Sequence, residues 1–104
     1  MKNTFDRGDT VFITCEHKTY DFATDIWSLA NPDATFPKIT IIDPKGVTKI
    51  PVDPEAPATM DSDETGKFYY LYEILATAER GWWRGSIQVE NGGYPDKQPF
   101  GFRV

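Results

Sequence analysis

Aromatic and aliphatic residues concentrate, at a period of two, over residues 66–89 (GKFYYLYEILATAERGWWRGSIQV). Phe68, Tyr70, Tyr72 and Ile74 share one parity. After a short connection, Trp83, Gly85, Ile87 and Val89 share another. A strand repeats every two residues, so each set lies on one face. Aromatic and β-branched residues suit a pleated, half-buried surface. The stretch therefore predicts two strands and a tight connection, with residues 76–81 able to form a single helical turn closed by Gly81. Trp82 and Trp83 are adjacent in one strand and must point to opposite faces. Trp83 belongs to the core. Trp82 is then solvent-facing, covered by a loop, or buried against a partner.

The same period appears elsewhere. Residues 5–9 read as a short edge strand running into a turn. Residues 10–16 form a strand with Val11, Ile13 and Cys15 on one face and Thr10, Phe12, Thr14 and Glu16 on the other. Residues 38–43 (KITIID) read as a central strand. Asp43-Pro44-Lys45-Gly46 is a turn, since proline presets φ and glycine tolerates the closing geometry, and residues 47–50 return as a short strand. The three prolines in residues 51–57 confine that segment to an edge or loop. Thr59-Met60 rejoins the sheet, and residues 61–66 form a polar turn. Asn91-Gly92-Gly93 signals a hairpin, residues 94–99 a loop, and Phe100, Phe102 and Val104 one face of a last strand. Residues 17–37 break the pattern. They are long for a connection, yet they contain Tyr20, Phe22, Ile26, Trp27, Leu29 and Phe36. Residues 23–30 fit one or two helical turns, with Thr24 or Asp25 as the N-cap and Asn31-Pro32 as the stop. Seven or eight short strands separated by turns predict an all-β sandwich, disulfide-free and immunoglobulin-like, with one long apolar loop.

Composition narrows the function classes. The 104 residues make one domain, 1–104. A formal charge of −5 argues against a nucleic-acid binder and against an anionic membrane surface. With Cys15 as the single cysteine no intrachain disulfide or cysteine cluster can form, and its alternating apolar context reads as a small buried hydrophobe. The polar start of the chain has no apolar signal region, so if Met1 is the native start the expected place of synthesis is the cytoplasm.

Several of these stretches carry a resemblance. Gly8, Asp9 and Val11 enter a strand. Asp43, Pro44 and Gly46 close one. Thr65, Gly66 and Tyr69 open another, and Gly81, Trp83 and Ile87 follow. This order resembles macroglobulin-type and bacterial or archaeal Ig-like modules over most of the chain, departing in residues 17–37. These are signatures of a fold, not of an active site. A free-standing module of this size ending in Phe-Arg-Val also resembles small structural proteins of tailed viruses. That resemblance implies a capsid, neck or tail component, located in the virion, whose partners are copies of itself and other virion proteins.

The candidate chemistry is sparse. Arg7-Gly8-Asp9 spells the integrin-binding tripeptide, but opening a strand is an equally good use of Gly-Asp. Asp61-Ser62-Asp63-Glu64-Thr65-Gly66 imitates the start of a calcium loop, with Asp61 and Asp63 at ligand spacing. The closing carboxylate is missing, Tyr72 standing there instead, and a polar turn is the simpler reading. One histidine, His17, and one cysteine make no convincing base and nucleophile pair. No catalytic residue, cofactor or metal is assigned, and the chain is not expected to be an enzyme. What remains is a surplus of rings. Tyr20, Phe22, Trp27, Leu29 and Trp82 are the candidate interface for protein–protein assembly. The alternative is a carbohydrate-binding or cell-surface adhesion module, in which coplanar rings stack on sugars.

Overall fold

The structure is a computed structural model and describes residues 4–33, 35–51 and 58–104. It is all-β, with no helix among the described residues. Ten strands are described: β1 (Thr10–Glu16), β2 (Lys18–Asp21), β3 (Ile26–Leu29), β4 (Lys38–Ile42), β5 (Thr48–Ile50), β6 (Ala58–Thr59), β7 (Asp61–Glu64), β8 (Lys67–Glu73), β9 (Trp82–Asn91) and β10 (Tyr94–Arg103). One sheet has the order β1-β8-β7. A second has the order β10-β9-β4-β5, with β6 also pairing β4. β2 and β3 form a separate hairpin.

The two larger sheets bury their faces against each other in a sandwich-like arrangement. Val11, Ile13, Cys15 and Phe68 from the first meet Ile39, Ile41, Trp83, Ile87 and Phe102 from the second in one cluster. Alternation dictates this in β1, whose residues are buried and exposed in strict turn. Trp83 is the centre, 1% exposed. Its ring stacks on Phe102 at 5.7 Å and meets Tyr72 of the opposite sheet at 5.9 Å. Its Nε1–H donates to the Glu79 carbonyl at 2.9 Å, so the one polar atom of the indole is satisfied. Cys15 is buried here, and burial, then the Glu16 carboxylate, push its thiol pKa up, keeping it protonated.

The turn at Asp43 is built by its own carboxylate. Oδ1 accepts the backbone N–H groups of Lys45 and Val47, both at 2.9 Å, and Gly46 N–H donates to the Asp43 carbonyl. The carboxylate can therefore sit buried at the mouth of the core.

Several expectations change. β8 and β9 do not pair with each other. β8 pairs β1 and β9 pairs β4 and β10, so residues 74–81 cross between sheets. That connection is a turn closed by Ala78 N–H on the Leu75 carbonyl, not a helical turn. Residues 61–64 are strand β7, paired with β8, because the backbone ladder is indifferent to the acidic side chains, all of them exposed. Residues 94–99 belong to β10, despite Pro95 and Pro99. Gly92 and Gly93, with φ of 61° and 84°, make a two-residue hairpin turn, so the flanking Asn91 and Tyr94 form a hydrogen-bonded pair. Counting from Tyr94, Pro95 and Pro99 fall at non-hydrogen-bonded positions of an edge strand, where no N–H is needed. The predicted first strand is reduced to Thr4 bridging Arg103 in parallel and Phe5 N–H donating to the Arg103 carbonyl. Of the proline-rich segment, Pro51 is a bend after β5, and residues 52–57 lie outside the described residues.

Candidate functional site

The long loop is a hairpin. Lys18 and Tyr20 alternate with Thr19 and Asp21, and Trp27 and Leu29 with Ile26 and Ser28. Pairing sets Lys18 opposite Leu29 and Tyr20 opposite Trp27. These four therefore share one face. The local helical tendency survives only as one turn at the tip, where Asp25 N–H donates to the Asp21 carbonyl at 2.8 Å and Asp21 Oδ1 accepts Ala23 N–H. Asp25 is not a helix N-cap. It takes φ 60°, the left-handed conformation that Asp tolerates, and closes the hairpin.

This arrangement gathers rings. Tyr20 meets Phe22 edge-on at 4.8 Å and Trp27 at 5.2 Å. Phe22 is 90% exposed and Trp27 64%. Ile26, not among the candidate contacts, is also largely exposed, on the opposite face. Leu29 is half-buried near the hairpin base. Trp82 lies elsewhere, on the outer face of β9, over Gly101 of β10. Four of the five candidates thus share a face or its tip, and Trp82 does not join them.

The hairpin is mounted on the body at its base. His17 N–H donates to the Gly66 carbonyl at 2.7 Å, and Gly66 N–H to Asn31 Oδ1 at 3.0 Å. Ala30 N–H donates to the His17 carbonyl, and His17 Nδ1–H to the Ala30 carbonyl at 2.8 Å. The lone histidine is therefore a clasp between the start of β2 and the end of β3. Beyond it, Asp33 holds the tip of β9–β10, its two carboxylate oxygens accepting Gly92 N–H and Gly93 N–H at 3.0 Å each.

These backbone bonds, that from Gly93 first, hold the Asp33 carboxyl below the ordinary range, against a smaller opposing effect of burial. A lowered folded-state pKa means that the contribution of this clasp is complete above the unfolded value of about 3.9 and is lost as pH falls through the folded value. The Gly92 and Gly93 amide resonances should titrate together with a midpoint below that of a free aspartate, and Asp33→Asn should abolish the titration. A midpoint at the ordinary value would contradict the clasp.

Other sites look different in three dimensions. Arg7-Gly8-Asp9 is tied to the body, with Arg7 Nε–H donating to the Ala78 carbonyl at 2.8 Å and Gly8 N–H to the Ile74 carbonyl at 2.7 Å. Asp61 and Asp63 lie on a paired strand instead of wrapping a loop. Among the described residues no group of three or more His, Cys, Asp or Glu side chains is placed to hold a metal ion. A cleft of about 190 Å³ opens between the end of β1 and the far half of β9–β10, lined by Glu16, His17, Lys18, Asn91, Tyr94 and Asp96 among others. That is smaller than the roughly 300–1,000 Å³ usual for small-molecule sites, and a roomier hollow over Asn31, Asp33, Phe36 and Phe68, about 380 Å³, is shallow and open to solvent. Compared with family models, with curated proteins and with solved structures, the chain matches none.

Proposed function

We propose that this protein is a non-catalytic assembly module that joins other proteins through the aromatic face of the β2–β3 hairpin. The observation that carries the reading is the exposure of Phe22 and Trp27, packed on Tyr20 at the end of a hairpin whose base is hydrogen-bonded to the body. Contiguous exposed rings are what a partner buries, and aromatic anchors dominate contact energies. The body is an immunoglobulin-like sandwich in this reading. It is supported by β1-β8-β7 facing β10-β9-β4-β5, with the β1–β8 and β4–β9 neighbours distant in sequence and crossings between the sheets. The resemblance to small structural proteins of tailed viruses favours a capsid, neck or tail role, with other virion proteins or copies of itself as partners.

The test is site-specific cross-linking. With Phe22 replaced by a photo-reactive phenylalanine analogue, the protein should cross-link to another chain in assembled particles. The same analogue in place of Arg84, on the outer face of β9, should not. Absence of cross-links from position 22 would overturn the reading. Phe22→Ser combined with Trp27→Ser should abolish the contact while changing stability by less than about 1 kcal/mol, because both rings are mostly solvated and only their two contacts with Tyr20 are lost. Thermal unfolding checks the second part.

A second reading has its own observation. Trp82, 52% exposed, lies over Gly101, whose missing side chain leaves the indole room to settle on the sheet. A ring held this way is a stacking surface for a sugar or another planar or apolar group. Tryptophan fluorescence that responds to a polysaccharide and loses the response in Trp82→Ala would favour a carbohydrate-binding module instead.

A further inference from the structure

Among the described residues the first sheet ends in an open edge at β1, and the direction of the backbone groups there follows from the register. β1 pairs β8 with Val11 opposite Tyr72, Ile13 opposite Tyr70 and Cys15 opposite Phe68. Just beyond the strand ends, His17 N–H donates to the Gly66 carbonyl and Ile74 N–H to the Asp9 carbonyl. Positions 9 and 17 therefore face β8, and by alternation so do 11, 13 and 15. Thr10, Phe12, Thr14 and Glu16 turn their N–H and C=O groups the other way, and among the described residues no strand pairs with them there.

In the two larger sheets each other described edge carries something that discourages pairing. β10 has Pro95 and Pro99 at its outward positions. β7 is Asp61-Ser62-Asp63-Glu64, which would oppose like charges in a second copy. β5 has three residues and ends against Pro51. β1 has seven residues, five of them Val, Ile, Thr or Phe, with no proline, glycine or lysine and a single charge at one end. Its outer face carries an apolar patch as well. Phe12, 62% exposed, stacks on Tyr69 at 5.9 Å and sits opposite exposed Leu71.

We propose that β1 pairs antiparallel with β1 of a second copy, joining the two β1-β8-β7 sheets into one six-stranded sheet across a two-fold axis at Ile13. The edge is self-complementary in one register. Phe12 faces Thr14 of the second copy and Thr10 faces Glu16, so all four outward residues of each chain are used. Registers displaced by two residues leave one of the four unpaired on each chain. In the favoured register the two Glu16 carboxylates stand at opposite ends of the junction. Phe12 of each copy lies diagonally beside the other, so the Phe12–Tyr69–Leu71 patches merge into one surface. This contact uses no residue of the hairpin and is independent of the hairpin's role. Because each chain carries −5, salt strengthens the association by screening.

Sedimentation of the purified full chain over a concentration series tests it, together with amide exchange. A reversible dimer is expected, tighter at high salt. The Phe12 and Thr14 amides should become protected only as dimer forms, while the Val11, Ile13 and Cys15 amides are protected throughout. Thr14→Pro removes an outward N–H without touching the β8 ladder and should reduce association at least tenfold. Since proline can also disturb the strand, Phe12→Lys with Thr14→Lys serves as a second variant. It sets lysines against each other across the axis and should be monomeric with unchanged circular dichroism. A chain that stays monomeric at millimolar concentration overturns the proposal. So does a dimer whose Phe12 and Thr14 amides exchange freely, or one abolished by Phe22→Ser with Trp27→Ser but not by the edge variants. Protection of these two amides only on adding a different protein replaces the second copy with a partner strand.

Discussion

Trp83→Ala should destabilise the protein by about 3–5 kcal/mol, the usual cost of truncating a buried aromatic to alanine. The indole is the element through which the two sheets are matched. It stacks on Phe102, touches Tyr72 across the interface and closes the Glu79 carbonyl with its N–H. Removing it leaves a cavity bounded by both sheets, which neither can fill without moving relative to the other. A domain of this size is stable by about 5–15 kcal/mol in total, so the variant should melt tens of degrees lower or fail to fold at the growth temperature. Trp83→Phe keeps most of the ring and forfeits the hydrogen bond. Its loss should be smaller, roughly 1–3 kcal/mol, with the Glu79 carbonyl left to find water. Chemical denaturation of the two variants checks both numbers. Equal losses would mean that the hydrogen bond, not the packing, is what matters.

Gly66→Ala should be the next most damaging single change, at about 2–5 kcal/mol. Gly66 has φ 74°, and a Cβ there would stand 2.8 Å from the His17 carbonyl oxygen, 2.9 Å from Ala30 N and 3.0 Å from Leu29 Cβ. Two costs combine. A left-handed conformation for an L-residue costs about 1–2 kcal/mol, and crowding against backbone that cannot rotate away costs about 1–3 more. Gly46 separates them, since it has φ 85° with nothing within 4 Å of the added carbon. Gly46→Ala should cost only the conformational share. The excess at Gly66 is then the crowding at the hairpin base, and it should appear as disturbed His17 and Ala30 resonances and altered Trp27 fluorescence. Equal effects at the two glycines would show that the hairpin is not pressed onto the β7–β8 turn.

The candidate surfaces were legible to different degrees. Tyr20, Phe22, Trp27 and Leu29 stand out in the chain because a segment so apolar is unusual between strands. That they form one face follows only from the Tyr20–Trp27 pairing, which a helical reading of residues 23–30 hides. Trp82 belongs in sequence to the same surplus of rings, yet β9 carries it to another sheet. Phe12 could be seen to point outward from alternation alone. Its neighbours Tyr69 and Leu71 could not be named, because nothing local says that β8 is the strand beside it.

Facing was determined by the sequence itself. In β1, β8 and β9 alternate residues must lie on opposite sides of the strand, so Val11, Ile13, Phe68, Trp83 and Ile87 were placed inward by a constraint that acts between adjacent residues. The Asp43 turn was set in the same way, by its own side chain, and the Asn91-Gly92-Gly93 turn by the φ values its glycines allow, although its tip is also held by the distant Asp33. Pairing was decided only by the tertiary structure. β8 joined β1 instead of β9, an acidic segment became β7 against β8, and β10 ran through two prolines because it lies at an edge that needs no N–H there. A strand's ladder bonds are the same whichever neighbour supplies them, so the choice of neighbour rests on which burial satisfies the whole core at once, and no short stretch of chain contains that information.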